Sequence, residues 1–357
     1  MRIVFHCGES LAPWSPRSCE TGVGGSEEAL IELARRLGAM GHEVLVYNSC
    51  GADAGMHGPV EYHDVATQPP DACDILIVWR NLAMPARLSY VRAARRYLWL
   101  QNARPEELVL EQERHFDKLM VVSKFHRSVY PRLSDDRIFE TANRIDPAHF
   151  EQPAERDPRR VVFASSYDRG LKIVLRNWRR VEREIPGVSL MVFFGWQSLR
   201  KWALRSGQGW RGLSASFLGV SAFQLHMALR MRALGVEHAG RVGHREVARR
   251  MLSSGVWAYP CTLPEVSCIT AMKAQAAGAV PVVIALAALK ETVRFGFRTA
   301  RDSGEIAEKE WLEGLIEMLR RPEKQEAIRG PMMAEARERF SWDRIARQWR
   351  DEFQGRG

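Results

Sequence analysis

The hydrophobic pattern divides the chain into short apolar runs separated by amphipathic stretches. The runs Arg2–Cys7, Glu43–Asn48, Asp74–Trp79, Tyr97–Gln101 and Lys118–Val122 read as strands. Between the first two, Ala29, Leu30, Leu33, Ala34 and Leu37 recur at helical spacing. Ser26 reads as the N-cap of that helix. Glu27 and Glu28 follow in its first turn, where the helix dipole favours negative charge, and Gly38 and Gly41 offer a stop. Strands alternating with helices predict a parallel sheet covered on both faces.

Pro147, Pro153 and Pro158 interrupt a polar stretch, after which the alternation restarts. Strands are expected at Arg160–Ala164, Ser189–Phe194, Glu237–Val242, Val256–Tyr259 and Val280–Ile284, with helices near Leu171–Glu184, Arg245–Ser254 and Ser267–Ala277. Three more helical patterns follow, at Glu305–Leu319, Glu323–Arg339 and Trp342–Phe353. The expected organisation is therefore two Rossmann-like α/β domains, residues 1–148 and 149–338, with residues 339–357 forming a helix that packs back on the first. Doubly wound domains in tandem leave a cleft between the carboxyl ends of their sheets, where such folds bind ligands. Dehydrogenases, kinases and transferases share that architecture, so it does not select a function.

Composition narrows the picture modestly. A chain of 357 residues exceeds what one core usually spans, which agrees with two domains. No stretch approaches the roughly 20 apolar residues of a membrane span. The chain opens on a strand rather than a secretory signal, and Cys7, Cys19, Cys50, Cys73, Cys261 and Cys268 are too scattered for a zinc or redox motif. A cytoplasmic protein with reduced cysteines is expected. The net charge of +9 suits phosphates, anionic lipid or nucleic acid, but no nucleic-acid signature with interleaved aromatics accompanies it. Trp196–Trp202 and Trp210–Arg211 mix tryptophans with basic residues. That segment reads as a contact for an anionic membrane (the inner face) or an acceptor, or as an insertion packing its aromatics inward.

Three segments carry candidate chemistry. The loop Gly8–Gly25 ends Thr21-Gly-Val-Gly-Gly-Ser26 at a helix start, where bare backbone and unpaired N–H groups can meet an anion. It is not G-x-G-x-x-G, and no acidic ribose binder follows about 20 residues later, so a dinucleotide site is disfavoured. An ordinary turn is the plainer reading. In Ser165-Ser-Tyr-Asp-Arg-Gly-Leu-Lys172 a strand ends in small polar residues, and Arg169 and Lys172 sit where a helix opens. Two cations there can clamp a diphosphate or simply face solvent. Glu265 lies in the turn before another helix, placed to accept bonds from sugar hydroxyls or to cap that helix.

Taken in order, Gly24-Gly-Ser-Glu27, Gly41-His-Glu-Val44, Asn143-Arg-Ile-Asp146, Ser165–Leu171, and Glu265 through Gly278-Ala-Val-Pro-Val282 resemble the family-four (group 1) retaining glycosyltransferases of the GT-B fold. The resemblance runs from residue 1 to about residue 350, including Phe340–Trp349. It implies that a hexose passes from a nucleotide-diphosphate sugar to a glycan, lipid-linked or small-molecule acceptor, with retained anomeric configuration and no metal or other cofactor. It places Gly24 and Gly25 against the donor diphosphate and the acceptor. Ser165 stands at the strand end, and Arg169 and Lys172 stabilise the leaving diphosphate. Glu265 binds donor-sugar hydroxyls, the backbone of Val266, Ser267, Cys268 and Ile269 lines sugar and phosphate, and Val242 and Gly243 lie by the base.

Three positions depart from the family pattern. The second motif glutamate is Lys273, which can only donate where two ribose hydroxyls are usually bound. The sugar-site histidine is replaced at about Gln101. The glycine of Asn-Gly-Ile-Asp is Arg144. Lys273 and Arg144 either re-tune the site for an unusual donor, with Lys273 reaching phosphate, or mark a degraded relative that binds a nucleotide or partner without turnover. An enzyme acting on nucleic acid rests on the charge alone.

Overall fold

The computed structural model describes residues 1–10, 12–194 and 210–355, excepting the side chains at 84–85 and 210–221. The tryptophan-rich segment at 196–211 lies outside the described residues or side chains. Among the described residues no helix is long and apolar enough to cross a membrane.

The strands of the first lobe are β1 (Arg2–His6), β2 (Glu43–Asn48), β3 (Gly55–His57), β4 (Val60–Asp64), β5 (Ala72–Trp79), β6 (Arg92–Trp99), β7 (Lys118–Val121) and β8 (Ile138–Glu140). They form one sheet in the order β3-β4-β2-β1-β5-β6-β7-β8. Every neighbouring pair is parallel except β3 with β4. Ile3, Val4 and Phe5 have no exposed surface, as expected of a central strand covered on both faces. The second lobe holds β9 (Asp157–Ala164), β10 (Ser189–Phe193), β11 (Glu237–Gly240), β12 (Ser254–Tyr259), β13 (Val280–Val283) and β14 (Phe297–Arg298). Their order is β11-β10-β9-β12-β13-β14, all parallel. Two doubly wound domains of this kind facing a central cleft constitute the GT-B fold.

The Gly25–Ala39 helix corrects the reading of its start: Gly24, in extended conformation (φ −67°, ψ 154°), occupies the cap position, and Ser26 lies inside the first turn. Gly38 lies within that helix, and Gly41 carries the left-handed φ of 86° just past its end. The short β3–β4 hairpin, β8 and β14 have too few residues to show a period.

The chain passes between the lobes twice. After β8 it enters the second sheet through the turn Pro147–Phe150. It returns at Phe340, and the Trp342–Phe353 helix then packs on the first sheet. Trp349, fully buried, lies 6.4 Å from the Phe5 ring and 4.8 Å from the Trp99 ring, centroid to centroid, and its indole donates to Thr141 Oγ1 at 2.6 Å. Glu352 accepts from Lys118 Nζ (2.9 Å) and Tyr97 OH (3.1 Å). The two passages touch, since Ile145 N donates to Phe340 O at 2.9 Å.

Candidate active-site cleft

The carboxyl ends of the central strands of both sheets open onto one cavity of about 990 Å3. That is a volume suited to a small-molecule or cofactor ligand. From the first lobe come the loop after β1, including Gly24 and Gly25, and the end of β5 with Trp79 and Arg80. From the second come Ser165 and Ser166 after β9, Arg241 and Val242 after β11, and Ile269 and Lys273 of the Ile269–Ala277 helix. The lobes approach closely enough to demand glycine. At Gly22, whose φ is 105°, a Cβ would lie 2.7 Å from the Val242 carbonyl; at Gly243 it would lie 2.3 Å from the Glu20 carbonyl. Both are contacts between lobes, so the missing side chains let the cleft close.

Arg169 and Glu265, far apart in sequence, meet: Nη1 donates to Oε1 at 2.8 Å. The Tyr259 hydroxyl donates to the same oxygen, and Ser165 Oγ lies 3.4 Å from that hydroxyl. Burial pulls the Arg169 pKa down, but Glu265 outweighs it and the net direction is up. The Arg169 side chain is 34% exposed and that of Glu265 10%, so the pair is screened on one side only. Lys172 is exposed in the first turn of the Leu171–Glu184 helix and forms no ion pair among the described residues. Val266 and Cys268 are buried in the loop that leads into the Ile269–Ala277 helix, and Ser267 turns away from the main cleft toward a second cavity.

Arg169, Lys172 and Glu265 stand near the lining residues Ser165 and Ile269 in sequence but do not themselves line this cavity, and Gln101 does not line it either. Gln101 is 5% exposed, and its amide is bonded reciprocally to Asn143, Nε2 to Oδ1 at 3.0 Å and Nδ2 to Oε1 at 2.9 Å. Where the family resemblance implies a group near the sugar, this chain holds two buried amides satisfying each other.

Lys273 has a partner that the sequence did not suggest. Its Nζ donates to Glu28 Oε2 at 2.8 Å, across the lobes. His244 Nδ1 lies 2.6 Å from the other carboxylate oxygen, and His244 Nε2 lies 3.0 Å from the Val23 carbonyl, which can only accept. All three side chains are buried, Glu28 at 3% exposure and the two bases at 6%. Burial pushes the Glu28 carboxyl up, yet Lys273 and His244 together hold it down at about 2. The first turn of the Gly25–Ala39 helix is thereby clamped to the second lobe. Nothing local in the sequence marks this, because Glu28 reads as a dipole-favoured first-turn acid and its partners lie more than 200 residues away. Arg80 was also missed. It has a positive φ of 63°, stacks over Trp79 at 4.8 Å and pairs with Glu27 at 3.3 Å on the first-lobe wall. Among the described residues no cluster of histidine, cysteine, aspartate and glutamate is placed to hold a metal ion.

Fold and cleft together define a GT-B architecture, and solved structures show the same arrangement. The chain is similar over 99% of its length to sucrose-phosphate synthase from Thermosynechococcus elongatus, covering 99% of that chain at 13% identity with a TM-score of 0.72. It is similar over 99% of its length to Anabaena HepE in complex with UDP and glucose, covering 100% of that chain at 14% identity with a TM-score of 0.69. WaaG, a glycosyltransferase involved in lipopolysaccharide biosynthesis, matches with 99% and 100% coverage, 14% identity and a TM-score of 0.64. No protein-family model matches the chain. No curated protein matches it in sequence.

Proposed function

We propose that this protein is a retaining glycosyltransferase that moves a hexose from a nucleotide-diphosphate sugar to a glycan, lipid-linked or small-molecule acceptor. The observation that carries the reading is the convergence, on one interlobe cavity, of the bare Gly22–Gly25 backbone from one side and Ser165, Val242 and Ile269 from the other. Such a cavity accepts a long, polar, anionic ligand, with backbone N–H groups facing its phosphates. The neighbours support the donor class: HepE is solved in complex with UDP-glucose as well as with UDP.

In the proposed reaction the bond between the anomeric carbon and the diphosphate oxygen breaks, an acceptor hydroxyl oxygen bonds to that carbon on the face the diphosphate vacates, and its proton passes to the departing diphosphate oxygen. Negative charge grows on the departing diphosphate, and Arg169 and Lys172 stabilise it. Glu265 accepts from donor-sugar hydroxyls. Its pairing with Arg169 fixes both side chains before substrate arrives, so little ordering cost remains at the moment of reaction. Val242 and Gly243 flank the base. No metal is assigned a role.

The test is a thermal-shift panel of UDP-, GDP-, ADP- and dTDP-sugars on the full chain, followed by donor hydrolysis and transfer assays on whatever binds. Glu265→Gln preserves shape and is expected to keep nucleotide binding while lowering turnover on the order of a hundredfold. If no sugar nucleotide shifts the melting curve, or if E265Q turns over at the wild-type rate, the assignment fails.

A further inference from the structure

A second cavity, of about 560 Å3, lies between the lobes beside the two chain passages. Ser267 lines it, two residues before Ile269 lines the main cleft. Arg144, Arg339 and Arg344 converge on it, and Lys124 adds a fourth cation. The Phe340 ring holds two of the guanidiniums, Arg339 at 4.9 Å and Arg144 at 5.9 Å from its centroid.

This charge is poorly compensated. Burial, together with Arg339 and Arg344, pulls the Arg144 pKa down to about 10. Arg144 donates to the Asn143 carbonyl at 2.8 Å, while its Nε is buried without a partner. Neither Arg144 nor Arg344 has a carboxylate at ion-pair distance among the described residues. Arg339 has Glu335 at 3.7 Å and donates through Nη2 to the Glu291 carbonyl at 2.7 Å, which leaves the rest of its fork free of carboxylates. Of the two carboxylates in the wall, Glu291 accepts from the backbone N–H groups of Lys124 and Phe125 at 3.3 and 3.0 Å. Glu140 is exposed. The Ser267 hydroxyl is likewise buried and unbonded. Like charges gathered at a partly desolvated site are unfavourable unless an anion joins them.

We propose that this cavity is a binding site for a phosphorylated small molecule, separate from the sugar-nucleotide cleft, with its phosphate held by Arg144, Arg339 and Arg344. A guanidinium fork matches two phosphate oxygens, and two forks held over one aromatic ring, with the exposed Arg344 beside them, present several donors to one anion. The volume admits a molecule of metabolite size. The site exists because an arginine stands where the Asn-Gly-Ile-Asp pattern has glycine, so the departure at 144 acquires a role that does not depend on the donor.

Isothermal titration of the full chain with inorganic pyrophosphate tests this, using wild type, R144Q, R344Q and, as a control at the diphosphate clamp of the proposed function, R169Q. The wild type is expected to show two binding events, one at each site. R144Q and R344Q should each weaken one of them at least tenfold, whereas R169Q weakens only the other. Arg344 is exposed on its helix, so R344Q should melt with the wild type and decides the matter if R144Q folds poorly. Absence of binding to the wild type, equal binding to R344Q and wild type, or weakening in R169Q with none in R144Q and R344Q would overturn the proposal.

Discussion

The Glu28–Lys273 pair offers the sharpest test of how the lobes are held together. Inverting the lysine, Lys273→Glu, sets two carboxylates where a 2.8 Å ion pair stood, inside a site only 3–6% exposed. Removing one partner of a buried pair costs about 3–5 kcal/mol, because the remaining charge is left desolvated. His244, 2.6 Å from Glu28, stays behind as partial compensation while the new carboxylate adds repulsion, so the middle of that range is expected. For a chain of 357 residues the loss corresponds to a fall in melting temperature of about 5 °C. Glu28→Lys should cost at least as much, since it faces both Lys273 and His244. The double swap E28K/K273E restores opposite charges across the same gap and should recover at least half of the summed losses in a double-mutant cycle. Because the pair spans the lobes, small-angle scattering should also show K273E more open than the wild type. Single variants that melt within 2 °C of the wild type, or a double swap whose loss equals the sum of the two, would refute the account.

Two further outcomes follow from the same structure. The Glu28 carboxyl is held at about 2 against an ordinary 4.5, so its contribution is complete above pH 4.5 and is lost as pH falls toward 2; that shift corresponds to about 3 kcal/mol, and melting curves of E28Q should lack that part of the acid-side decline shown by the wild type. Trp349→Ala removes a fully buried ring lying against Phe5 and Trp99, which should cost about 3–5 kcal/mol in urea unfolding of the first lobe, whereas a cost below 1 kcal/mol would mean the terminal helix is only loosely attached.

Much of this molecule is legible from the sequence because its strands are central and buried on both faces. Glu43–Asn48, Lys118–Val121 and Val280–Val283 are nearly continuous apolar runs, and such runs mark their own limits. The Leu171–Glu184 and Trp342–Phe353 helices show their apolar stripes just as openly. The elements that escaped are those whose form depends on neighbours. The β3–β4 hairpin exists because it can add to the edge at β2, and β14 is two residues long. At the cleft, glycine loop and strand ends carry local signatures, so Gly24, Gly25, Ser165 and Ile269 could be named in advance. The partners of Lys273 and Gln101 could not. Glu28 and Asn143 are ordinary polar residues until tertiary structure brings them to hydrogen-bonding distance, and charge complementarity across 245 residues leaves no periodic trace.

The hydrogen bond from Ile145 to Phe340 has a mechanical consequence. Two covalent connections lying side by side at the β8 border act as a doubled hinge pin, which resists sliding and twisting and leaves mainly a swing about one axis. The contact of Gly22 with Val242, after the central β1 of one sheet and the edge strand β11 of the other, lies away from that seam and would travel further. Any such swing must first part the close contacts at Gly22 and Gly243 and the Glu28 clamp, while the seam itself scarcely moves.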